Sequence, residues 1–199
     1  GWPIVAWAHG TTGLGDDCAP STQPRSERDA EYLGHWLDRG YAVVASDYVG
    51  LGTPGLLSYL NGPATGQAIV DSVIAARTSD LPLSPTWALV GQSQGAGAAL
   101  NTAVRATELG APAGLDYRGV VATGAPANIE HIFQWGGPGF PPVNLPTGLN
   151  LYAFYILAGF REQHPELDLN AYLTPAGRDM VDAAETLCYG DMRDKVGDF

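Results

Sequence analysis

The chain reads as an α/β protein built on a mostly parallel, doubly wound sheet, and three observations point there. Short apolar runs recur at residues 3–8, 41–46, 86–91 and 117–123, without the alternation that a half-exposed strand shows. Segments of helical periodicity separate them, so strand and helix alternate four times and right-handed crossovers are expected. The chain is also generous in turn formers, with 26 Gly and 15 Pro, which suits many short, tight loops. At 199 residues, 45% of them hydrophobic, it is long enough for one domain with a full core.

Residues 3–8 form the first buried strand, which gives way to the loop His9-Gly10-Thr11-Thr12-Gly13. Residues 15–21 continue as loop. From Arg25 the pattern turns helical, with Ala30, Leu33, Trp36 and Leu37 on one face, and Gly40 stops it. His35, beside Trp36, reads as a packing or surface histidine. The strand over 41–46 exits into Asp47-Tyr48-Val49-Gly50-Leu51-Gly52. Loops at the carboxyl ends of parallel strands line the ligand crevice, so Asp47 and Tyr48 are expected to line the site, as structural hydrogen-bonding groups rather than as chemistry. A helix over 64–78 carries Ile69, Val70, Val73 and Ile74 as its buried stripe. Residues 81–85, with two prolines, read as a loop.

The strand over 86–91 ends in Gly91-Gln92-Ser93-Gln94-Gly95, and a helix rich in Gly and Ala begins at once and runs to about Glu108. Strand, sharp turn and helix are the context that a nucleophile elbow needs. The serine sits on a strained turn with its hydroxyl above the strand end, and the flanking glycines admit neighbouring backbone. Ser93 is therefore the candidate nucleophile. The N–H of Gln94 and an N–H from the loop after the first strand, Thr11 or Thr12, are the candidate oxyanion donors. His9, Gly10 and Gln92 are expected to line the same crevice. Small residues in the first turns of the helix let its positive end approach the developing charge.

After Ala127 the character changes. Residues 136–142, Gly-Gly-Pro-Gly-Phe-Pro-Pro, are a cluster of breakers, and the remainder reads as helices without a buried strand. Residues 149–160 are apolar and aromatic on nearly every side. Thr174-Pro175 caps a helix expected to carry Met180, Val181, Ala184, Leu187 and Cys188. The organisation is thus a partial core over 1–126 and a helical cap over 127–199, apolar enough to receive a lipophilic acyl chain. A serine nucleophile needs a base and an acid to orient that base. His131 and His164 follow Ser93, but one lies directly after the fourth strand and the other at a helix end within the cap. Asp168, Asp179 and Asp182 are likewise on cap helices. The acid and histidine are expected on loops of further strands beyond Phe199. The chain opens inside a buried strand, so both its ends read as cut.

Twenty-one acidic against ten basic residues give a net charge of −11, which repels phosphate backbones and argues against nucleic acid as a partner. No apolar run approaches the roughly 20 residues needed to cross a bilayer. Cys18 and Cys188 are either two buried thiols or one bridge closing a very long loop.

Taken together, Trp7-Ala8-His9-Gly10-Thr11-Thr12-Gly13, Asp17-Cys18-Ala19-Pro20-Ser21, Asp47-Tyr48-Val49-Gly50-Leu51-Gly52 and Gly91-Gln92-Ser93-Gln94-Gly95 resemble the secretory lipases related to yeast lipase A. The similarity covers most of residues 1–126 and, more loosely, the cap. It implies an α/β-hydrolase fold and a secreted serine esterase or lipase with no cofactor and no metal. It also implies that Cys18 bridges to Cys188 in the cap, a bridge that export would explain. The substrate so implied is a small-molecule or lipid ester. An acyltransferase or peptidase on the same fold, and a non-catalytic binding module, are the competing readings.

Overall fold

The computed structural model describes residues 1–134 and 146–197. The four apolar runs become parallel strands: β1 (Trp2–Ala8), β2 (Ala42–Ala45), β3 (Leu83–Gln92) and β4 (Asp116–Thr123). They stand in the order β2-β1-β3-β4. Parallel neighbours cannot be joined by a tight hairpin, and helices supply the crossovers. These are α1 (Glu27–Asp38) after β1, α2 (Gly62–Arg77) after β2 and α3 (Gln94–Gly110) after β3.

Successive side chains of β1 point to opposite faces, and both faces are covered. Ile4, Ala6 and Ala8 join the main core with Ile69 and Val70 of α2 and Ala98 and Ala99 of α3. Val5 and Trp7 join a smaller cluster with Leu33 of α1 and Val90. Burial on both sides explains why the run carries no alternation. Helix starts are set by side-chain caps. Ser26 accepts from the Asp29 N–H at 3.2 Å, Asn61 from Ala64 at 3.1 Å and Thr174 from Gly177 at 3.1 Å. Each satisfies a donor that the first turn leaves orphaned, worth about 1 kcal/mol.

Two boundaries differ from expectation. β3 begins at Leu83, inside the stretch read as loop. Pro85 is tolerated because the register with β1 shifts between Trp2 and Ile4 and pairing with β4 starts only at Thr86. Its missing N–H therefore interrupts no ladder. Beyond β4, α6 (Pro175–Ala184) stops before Leu187 and Cys188, which were expected on it. Cys188 instead forms an antiparallel bridge with Gly13 and a disulfide with Cys18, and this tertiary tie overrides helical periodicity.

The chain resumes as α7 (Tyr189–Gly197). α4 (Ile129–Gln134) follows β4, and α5 (Thr147–Gln163) buries Leu151, Tyr155 and Ala158 against the core. Arg161 of α5 holds Asp182 at 2.8 Å and Glu185 at 2.7 Å, joining α5 to the end of α6. The breaker cluster at 136–142 lies outside the described residues. Among those described, no helix is long and apolar enough to cross a membrane.

Candidate active site

β3 ends at Gln92 and α3 begins at Gln94, leaving Ser93 alone at the turn with φ 55° and ψ −121°. Such a conformation costs a non-glycine residue on the order of 1–3 kcal/mol and persists only where the surroundings enforce it. Here the Ser93 N–H donates to the Thr123 carbonyl of β4 at 2.9 Å, and the Ser93 carbonyl accepts from the N–H groups of Ala96 and Gly97. A Cβ on Gly91 would overlap the Gly95 carbonyl, and one on Gly95 would overlap the Ala8 carbonyl. The side chain of Ser93 makes no capping bond to α3, which leaves its hydroxyl unused by the helix.

The loop after β1 passes directly over this turn. A Cβ on Gly10 would lie 3.6 Å from the Ser93 Cβ and 2.6 Å from Gln92 Oε1. His9, Gly10, Thr11 and Thr12 share with Gln92 and Ser93 a cavity of about 1030 Å³. Gln94 is the first residue of α3, so its N–H has no acceptor within the helix and stands at the positive end of the helix dipole.

Distant residues clamp the loop. Thr11 Oγ1 lies 2.7 Å from the Tyr59 hydroxyl. The Thr12 carbonyl accepts from the Tyr189 N–H at 2.8 Å. The Cys18–Cys188 disulfide and the Gly13–Cys188 bridge complete the tie. Gly13 is in a left-handed conformation, φ 131°, where a Cβ would lie 2.7 Å from Cys18 Sγ.

His9 is buried, with its ring stacked at 4.2 Å on that of Tyr48. Its Nδ1 lies 2.7 Å from the Gly10 carbonyl, which can only accept, so Nδ1 carries the hydrogen. Burial pulls its pKa below the ordinary histidine value, and the ring is neutral at neutral pH. Tyr48 donates its hydroxyl to the His9 carbonyl at 2.9 Å. Asp47 accepts from the Ser21 N–H at 2.9 Å. Asp47 and Tyr48, expected to line the site, do not line the cavity, because the Asp47 carboxylate turns to the Ser21 N–H and the Tyr48 ring is buried against His9, supporting it from behind.

Neither His131 nor His164 lines this cavity. The His164 ring packs on Phe160 at 4.5 Å, and its Nδ1 lies 3.1 Å from Glu166. His35 sits on α1 with its Nδ1 2.9 Å from Arg39. Asp182 is engaged by Arg161, and neither Asp168 nor Asp179 faces Ser93's cavity.

Three tyrosines were missed from the sequence. Tyr152 of α5 and Tyr189 line the cavity, and Tyr59 holds Thr11. Burial, reinforced by Tyr189, pushes the Tyr152 phenol up to about 12, so it stays neutral over the working range. Tyr189 adjoins Cys188, so the implied disulfide was a signal for it. Tyr59 lies on an irregular loop and had none.

The family model described as secretory lipase matches residues 25–195. No curated protein shows a significant match. The rice cell wall degrading esterase LipA from Xanthomonas oryzae superposes with a TM-score of 0.73 at 23% identity, over 98% of this chain and 52% of that one. Candida antarctica lipase A in its closed state gives 0.71 at 22%, over 96% and 45%. A hydrolase from Legionella pneumophila, described as putative, gives 0.68 at 18%, over 98% and 52%. At these identities the likeness shows the fold, which is that of the α/β-hydrolases. The chain spans about half the length of these structures.

Proposed function

We propose, since the chain belongs to the secretory lipase family, that the protein is an exported carboxylic-ester hydrolase working through an acyl-enzyme on Ser93. The observation that carries the reading is the strained Ser93, its hydroxyl unused by the helix, in one cavity with the loop over residues 9–12. Ser93 Oγ attacks the ester carbonyl while its proton passes to a histidine, and that proton then leaves with the alcohol. The negative charge on the carbonyl oxygen is met by the Gln94 N–H and by the N–H of Thr11 or Thr12, with α3 pointing its positive end at the same place. Water then releases the acid by the reverse route.

The triad histidine and its acid come, in this reading, from the protein beyond Phe199. Solved structures of the fold about twice as long, and the absence of His131 and His164 from the cavity, support it. Residues 1–126 supply the hydrolase core and residues 127–199 the cap. Among the described residues, Tyr152 is the α5 residue that reaches the cavity, whereas Leu151, Tyr155 and Ala158 are spent on packing. A lipophilic acyl chain would therefore meet the cap through Tyr152 and Tyr189. Export is supported by the disulfide, which persists in oxidising compartments.

Ser93→Ala in the full-length protein is expected to abolish hydrolysis of p-nitrophenyl esters while circular dichroism stays unchanged. Undiminished hydrolysis by that variant would contradict the reading.

A further inference from the structure

The cavity that holds Ser93 has a further wall, made by the segment between Asp17 and Asp29. That segment is folded back on itself, since the Gln23 side-chain amide donates to the Asp17 carbonyl at 2.7 Å and Asp47 holds the Ser21 N–H at 2.9 Å. Asp17, Arg25 and Arg28 are exposed and so within reach of a ligand. Among the described residues, not one Leu, Ile, Val, Phe, Met or Trp lines the cavity. Ligand pockets are ordinarily apolar with a few polar groups set into them, and here the proportion is reversed.

Resting on the ester-hydrolase reading of Ser93, we infer that this wall receives the alcohol half of the substrate, and that the alcohol is a neutral polyhydroxy unit the size of a sugar. Among the described residues, neither the Arg25 guanidinium nor the Asp17 carboxylate has a hydrogen-bond or ion-pair partner, whereas Arg28 is held by Asp29 at 3.0 Å. A guanidinium only donates and a carboxylate only accepts. A hydroxyl does both, so the hydroxyls of one sugar answer either charge. An alkyl group would strip water from these charges and return no hydrogen bond. An anionic alcohol would pair with Arg25 but meet Asp17, Asp29 and Asp191 in the same lining, and a cationic one would pair with Asp17 but meet Arg25 and Arg28.

The positive charge of Arg25 adds to burial, the larger cause, in lowering the His9 pKa, so it lies near the loop that passes over Ser93. The cavity, at about 1030 Å³, is at the upper end of the range that holds drug-sized ligands, and a monosaccharide fits there together with its ester group. The acyl chain is left to Tyr152 and Tyr189.

The test measures kcat/KM of the full-length protein on esters that share one acyl group: a methyl glucoside butanoylated at its primary hydroxyl, hexyl butanoate and butanoylcholine. The sugar ester is expected to lead each of the others by about tenfold or more, the worth of one or two hydrogen bonds to charged groups. Arg25→Met, which keeps the length of the side chain, is expected to cut that lead about fivefold, and Asp17→Ala about threefold. A ratio between substrates is read because a fault in folding lowers all of them alike. Hexyl butanoate or butanoylcholine cleaved as well as the sugar ester, or a ratio unmoved in both variants, would overturn the assignment of this wall and leave hydrolysis at Ser93 standing. If none of the esters is cleaved, both readings fall.

Discussion

The elbow and the loop above it meet at Ser93 but are held by different means. The elbow is held by backbone against backbone within a few residues, where Gly91, Gly95 and the Ala8 carbonyl leave no room for a side chain. The loop over 9–13 is held by residues far away in the chain: Cys188, Tyr189 and Tyr59. One half of the site is thus as rigid as the sheet it grows from. The other is as firm as its attachment to Cys188 and Tyr189, so a change that frees these residues should reach the proposed oxyanion donors before it reaches the proposed nucleophile.

Cutting the attachment is the strongest way to separate the two. Replacing Cys18 and Cys188 by Ser removes a cross-link between residues 170 apart, worth about 5 kcal/mol in the chain-entropy model. Denaturant unfolding is expected to show a loss of that order. Hydrolysis measured where the variant is still folded should fall as well, since Thr11 and Thr12 lose their tie. Full activity in the folded variant would mean that the loop holds itself.

Gly95→Ala attacks the other half. Its Cβ meets the main chain of β1, which cannot yield as a flexible side chain does, and a loss of about 3 kcal/mol is expected. Here activity should vanish together with thermal stability. A variant that keeps both would show that the close approach to Ala8 is dispensable.

Tyr59→Phe is a milder probe, because it keeps the buried ring and deletes only the hydroxyl beside Thr11. The loss in stability should be about 1 kcal/mol. Turnover should drop with KM little altered, since the group acts by positioning; a change confined to KM would place Tyr59 in substrate binding instead.

The smallest effect is a pH dependence through His9. In the unfolded chain this ring titrates near 6.5, whereas burial holds its pKa lower in the folded protein. The stability tied to the neutral buried ring is therefore complete above about 6.5. It is lost progressively as pH falls below that value, where the unfolded chain takes up a proton the folded one resists. Thermal melts at stepped pH should show His9→Asn flattening this slope; an identical slope in the variant would assign the acid sensitivity elsewhere.

The same division explains what could be read from the amino-acid sequence. The runs that became β1 and β3 are legible because burial on both faces demands unbroken apolar residues. The turn at Ser93 is legible because its glycines are required by contacts within a few positions. The helix start at Thr174 carries its own cap. Pro85 misled because its tolerance depends on a register shift in β1, a neighbour 80 residues away in the chain. The end of α6 at Ala184 misled because Cys188 answers to Gly13 and not to helical spacing. Tyr59 has no local pattern at all, since what matters about it is which distant atoms it meets.

The central claim concerns one hydroxyl, and covalent trapping reads it directly. The full-length protein is incubated with an aryl alkylphosphonate ester, digested and mapped by mass spectrometry. The account predicts a single phosphonyl adduct on the peptide containing Ser93, formed in step with loss of ester hydrolysis. Inhibition with the adduct on another residue, or with Ser93 unmodified, would contradict it.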